Sequence, residues 1–81
     1  MNVLSINENH LLWSLLYALS TNTYVRMDVF GDIVENWHSL SISMQSQILI
    51  EVEVYRKNTP VSDSSVDVFY ETIQDLRNDQ Q

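Results

Sequence analysis

The chain has 81 residues, 44% of them apolar, and eleven acidic against four basic side chains give a formal charge of −7. That suffices for one small domain, residues 1–81, built on a single core, and the apolar content excludes wholesale disorder. The absence of cysteine excludes a disulfide framework or a Cys-ligated zinc site, and the negative charge disfavours direct binding to nucleic acid or to an anionic membrane.

The N-terminal residues MNVLSINENH carry no basic leader region, and the apolar run LLWSLLYAL is too short to span a bilayer. Cytoplasmic residence is the expectation. A single glycine and a single proline are a poor supply of turn formers, which weighs against a sheet-rich fold.

The first element is a helix over about 7–20. Asn7 can cap it with Ile6 and Leu11 as a hydrophobic staple, and Ser5 with Glu8 offers a competing capping box. Leu12, Leu15, Leu16 and Leu19 fill one face, with Leu11 on its flank. His10, Trp13 and Tyr17 share a neighbouring face. Such a group more often closes a small core than anchors a partner, although Trp and Tyr are common interface residues.

The second element covers about 23–39. Met27, Phe30, Ile33, Val34, Trp37 and Leu40 project onto one side at 100° per residue, and Asp28, Asp32 and Glu35 onto the other. The stretch TYVRMDVF also alternates like a strand, and Gly31 costs a helix roughly 1 kcal/mol relative to alanine.

QILIEVEVYRK, residues 47–57, can be read in two ways. Ile48, Ile50, Val52 and Val54 alternate as in a half-buried strand, whereas Met44, Ile48, Val52 and Tyr55 recur at helical spacing. Serines before it and Asn58-Thr59-Pro60 after it favour a helix over about 43–57. Ile50 and Val54 then form a second apolar ridge, which predicts a central helix buried on two sides, or one whose far side meets another chain.

The last helix is predicted over about 62–78. Ser62 is its cap, Val61 and Val66 its staple, and Val66, Phe69, Tyr70, Ile73 and Leu76 its apolar stripe; residues 78–81 read as a frayed tail. The fold class expected is therefore all-α, a compact four-helix domain with the third helix central. The alternative is α+β, with a small sheet from residues 23–30 and 47–55.

Asp63, Asp67, Glu71, Asp75 and Asp79 recur at i, i+4 along the last helix. Like charges at this spacing cost isolated helices a few tenths of a kcal/mol per pair, so local stability does not explain the row. It is either a solvated face or a surface for an arginine- and lysine-rich partner, with Val68 a small hydrophobe among the carboxylates and Asp28, Asp32 and Glu35 a second acidic ridge.

Catalytic constellations are thin. Glu35-x-x-His38 matches the spacing of di-iron carboxylate bundles, but the chain holds no second copy and Glu35 points away from its apolar face, so no metal or other cofactor is expected. No G-x-S-x-G turn or phosphate-cradling loop is present. Glu51, at the edge of the third helix's core stripe, is expected either to turn its carboxylate to solvent or to pair with an arginine, Arg26 or Arg56.

In size and charge alone the chain resembles bacteriocin immunity proteins and phage-encoded inhibitors. That resemblance implies a phage or mobile-element origin and an inhibitory binding function. The expectation is a non-enzymatic module whose acids, Asp63, Asp67, Glu71 and Asp75 with Val68, Asp28, Asp32 and Glu35, dock on a basic surface of a larger protein. The alternative is a homodimer formed through Ile50, Val54, Trp13 and Tyr17.

Overall fold

The computed structural model describes residues 7–21 and 23–79. Four helices occur in it, α1 Glu8–Leu19, α2 Thr23–Asn36, α3 Ile42–Asn58 and α4 Ser64–Asp79, with a 3₁₀ turn at Trp37–Ser39 extending α2. The all-α expectation holds. Both segments of the α+β alternative lie inside helices.

Asn7 caps α1 by accepting from the His10 amide at 3.1 Å. The competing Ser5 box and the Ile6 staple lie outside the described residues. Glu8 instead reaches Ser41, accepting from its backbone N–H at 2.7 Å and its hydroxyl at 2.8 Å. Ser41 in turn caps α3, its Oγ accepting from the Met44 amide at 3.2 Å. The starts of α1 and α3 are thereby tied together, and the two helices run in the same sense.

α2 packs against α1 and α4, and α3 packs against those same two, so the main packing closes a ring in the order α1, α2, α4, α3. No helix is central. This corrects the expectation for α3: Ile48 and Val52 are fully buried, but Ile50 and Val54 remain 49% and 48% exposed. The alternating apolar pattern of residues 48–54 thus records one buried and one outward ridge on a helix.

The ring encloses Leu15, Ala18 and Leu19 of α1, Phe30 and Ile33 of α2, Trp37 and Leu40 beyond it, Met44, Ile48, Leu49 and Val52 of α3, and Val66, Phe69 and Ile73 of α4. The rings of Phe30 and Phe69 stack 4.1 Å apart across the α2–α4 seam. Removing one such side chain is worth about 3–5 kcal/mol. Met27, placed on the apolar face from sequence, is exposed, and Arg26 takes the inward position instead. Its spacing to Phe30, Ile33 and Trp37 is that of one helix face.

Gln45 is the other buried polar side chain among the described residues. Its amide donates to the Trp37 carbonyl at 2.7 Å and the Leu40 carbonyl at 3.5 Å, where the 3₁₀ turn leaves backbone acceptors free. Gln45 Oε1 and Trp37 Nε1 have no partner among the described residues, which makes this the less satisfied end of the core.

Two boundaries differ from expectation. α4 begins at Ser64, one residue after Asp63, whose carbonyl accepts from the Asp67 amide at 2.9 Å, so Asp63 rather than Ser62 holds the cap position. Val61 is exposed and makes no staple with the buried Val66. At the other end α4 continues through Asn78 and Asp79, within the stretch expected to fray; residues 80 and 81 lie outside the described residues.

A Cβ built on Gly31 meets nothing within 4 Å. Gly31→Ala is therefore expected to stabilise the domain by about 1 kcal/mol through helix propensity alone. Thermal unfolding measures it as a rise of about 4–8 °C; an unchanged or lower midpoint would show that α2 is not continuous through position 31. No helix among the described residues is long and apolar enough to cross a membrane.

Candidate functional site

At the end of the bundle opposite Glu8 and Ser41, one guanidinium holds four helices in place. Arg26 donates from Nε to the Ala18 carbonyl at 3.0 Å and from one terminal nitrogen to the Leu19 carbonyl at 3.0 Å and the Tyr55 hydroxyl at 2.9 Å. Its other terminal nitrogen donates to the Asp63 carboxylate and to Ser65 Oγ at 3.2 Å. These five bonds match the five guanidinium donors. Helix α1 has no cation of its own in its last turn, and Arg26 supplies from α2 the positive charge that a helix C-terminus favours.

Tyr55 and Ser65 pass the contact on, each hydroxyl donating to Asp63, at 2.9 Å and 3.0 Å. Burial alone would raise the Asp63 pKa, but the hydrogen bonds from Arg26, Tyr55 and Ser65 outweigh it and hold the carboxyl below its ordinary range. At Arg26 burial lowers the pKa, but the hydrogen bonds to Asp63 and Tyr55 and the attraction of the Asp63 charge overcome it and raise the guanidinium's pKa above its usual value. The first acid of the row is therefore a structural anchor.

Asp67 is also engaged inside the chain. Arg56 Nε donates to it at 2.9 Å, and the same guanidinium lies 4.5 Å from the centre of the Tyr70 ring. The Tyr70 hydroxyl donates to Glu53 at 2.6 Å and accepts from Gln74 at 3.0 Å; the hydrogen bond to Glu53 is the largest cause of its raised pKa. Of the two outcomes expected for Glu51, pairing with Arg26 or Arg56 does not occur; the half-buried side chain accepts from Gln47 at 2.7 Å.

The row of five acids thus divides. Glu71, Asp75 and Asp79 stand exposed on the outside of α4 with Val68 exposed among them. Asp28, Asp32 and Glu35 stand exposed on the neighbouring α2. The ion pairs among the described residues are Arg26–Asp63 and Arg56–Asp67, so these six carboxylates carry none.

Counted by helix, α3 is neutral (Glu51 and Glu53 against Arg56 and Lys57) and α1 carries −1 from Glu8. α2 carries −2 after Arg26 is counted, and α4 with its cap Asp63 carries −4. The α2–α4 half therefore holds nearly all of the excess charge.

The α1–α3 half has the opposite character. Trp13 and Tyr17 are 71% and 61% exposed and His10 is exposed as well, so this aromatic group does not close the core as expected. Glu35 and His38 are both exposed, and no group of three or more His, Cys, Asp or Glu side chains among the described residues is placed to hold a metal ion. Sequence reasoning missed Arg26 and Gln45, whose signal was a polar residue recurring in register with an apolar face. Comparison of the chain with protein-family models, curated proteins and solved structures finds no match to any of them.

Proposed function

We propose that the protein is a non-enzymatic binding module that docks the acidic outer face of α2 and α4 on a basic surface of a larger protein, inhibiting or recruiting it. The observation that carries this reading is the exposure of Asp28, Asp32, Glu35, Glu71 and Asp75 on two adjacent helices with no basic side chain among them and no ion pair to neutralise them. Val68 gives the face a small apolar contact. A nucleic-acid-binding protein whose phosphate site is occupied by the carboxylates is the partner chemistry that fits best. Asp63 and Asp67 support the face from behind rather than forming it.

Two tagged baits test this in host lysate: the native chain, and a variant with Asp28→Asn, Asp32→Asn, Glu35→Gln, Glu71→Gln and Asp75→Asn, matched to it by circular dichroism. The native bait is expected to retain a stoichiometric basic protein that high salt removes. The variant is expected to lose it. Equal recovery of the same partner by both baits contradicts the proposal.

A further inference from the structure

Ile50 and Val54 lie one turn apart on the outside of α3, half exposed. A cleft of about 600 Å³ between the C-terminal half of α3 and the α3–α4 connection has both in its wall, together with the exposed Val61. A smaller depression of about 250 Å³ at the α1–α3 seam shares Val54 and adds Leu16 and Leu19 of α1. Trp13 lies three residues from Leu16, about 60° further round α1 toward solvent. One apolar ridge therefore links two depressions and an exposed indole.

We infer that this α1–α3 face is an isologous interface that pairs with a second copy of the chain. The charge distribution selects that occupant. Two chains of −7 repel each other, yet α3 is neutral and α1 carries −1, so this is the face on which two copies can meet. The acids of α2 and α4 then lie on the far sides. The bundle is 17 Å through its shortest axis, about two Debye lengths at physiological salt, so their mutual repulsion is largely screened.

The side chains flanking the ridge carry both signs. Glu53 and Lys57 stand one turn apart, and both are exposed. A two-fold pairing of the ridge with itself sets each copy's carboxylate against the other's ammonium, which is the self-complementarity an isologous contact requires. A standard interface takes about 800 Å² per partner, roughly one seventh of the chain's 5321 Å² surface. The paired chains present two acidic faces pointing apart, and this inference stands independently of what those faces bind.

The test is molar mass against concentration, by sedimentation or light scattering, from about 1 μM to about 1 mM. The native chain is expected to pass from its 9.5 kDa monomer mass to twice that value, and to do so at high salt as well. Val54→Asp, at a half-exposed site that leaves the core untouched, is expected to weaken the pairing at least tenfold. Asp79→Asn, on the outside of α4, is expected to leave it unchanged. A single-chain mass at the highest concentration, as a face reserved for another partner would give, overturns the inference. So does a folded Val54→Asp chain that pairs as tightly as the native one, and Ile50→Asp repeats the test if that variant does not fold.

Discussion

Replacing Arg26 by methionine is expected to lower the free energy of unfolding by about 3–5 kcal/mol, the usual cost of removing one partner from a buried ion pair. Methionine preserves most of the packing volume and removes every donor. Asp63 then loses its charged partner and keeps only the Tyr55 and Ser65 hydroxyls, and the carbonyls of Ala18 and Leu19 lose their guanidinium donors. For a chain of 81 residues, total stability is on the order of 4–12 kcal/mol, so the variant is close to unfolding at ordinary temperature. Lysine should recover only part of the loss, because one ammonium cannot serve five acceptors spread over α1, α3 and α4. Urea unfolding followed by circular dichroism measures the effect. A loss below about 1 kcal/mol would mean that the Arg26 cluster does not hold the helices together.

Asp63→Asn is expected to remove an acid-dependent component of stability. The folded-state pKa of Asp63 is lowered below its ordinary value of about 3.9. Its contribution is therefore complete above the unfolded pKa and disappears as pH falls from there through the folded pKa. Near neutrality the native chain should exceed the Asn variant by about 2 kcal/mol, with the hydrogen-bonded charge accounting for the difference. Below the ordinary carboxylate range the two should converge. Every other acid is common to both chains, so the difference between them isolates Asp63. A gap between the two chains that stays constant down to acid pH would contradict the placement of its charge in the fold.

Helix positions were legible because their signals are local. Asn7 and Ser41 sit where caps are needed, and Asn58-Thr59-Pro60 stops α3 as its chemistry requires. The exchange of Met27 for Arg26 was harder to read, since a 100° error in the assumed centre of the apolar face reverses the two. Pattern alone favours the methionine. What brings Arg26 inward is a set of acceptors on three other helices, and Asp63 is 37 positions away. The same contact explains why Asp63 and not Ser62 caps α4. Ser62 is an adequate cap by type, but only a carboxylate at position 63 can meet the guanidinium.

The candidate faces were legible in part. Asp28, Asp32, Glu35, Glu71 and Asp75 lie exposed, as their helical spacing implied. That Asp67 faces Arg56 depends on how α3 and α4 are set against each other, which no spacing along α4 reveals. Trp13, Tyr17, Ile50 and Val54 read as buried because an apolar residue carries no mark of which neighbour covers it. In a ring of four helices the outer side of α3 has no packed neighbour among the described residues.

The most direct test of the acidic-face proposal is the association rate of the captured partner, measured across ionic strength for the native chain and for the variant with the five outer acids neutralised. Charge-steered docking gives a native rate that falls steeply with salt, and a variant rate at least about tenfold slower at low salt with a shallower dependence. Equal rates and equal salt dependence in the two chains would contradict it, and would leave the acids of α2 and α4 as a solvated surface.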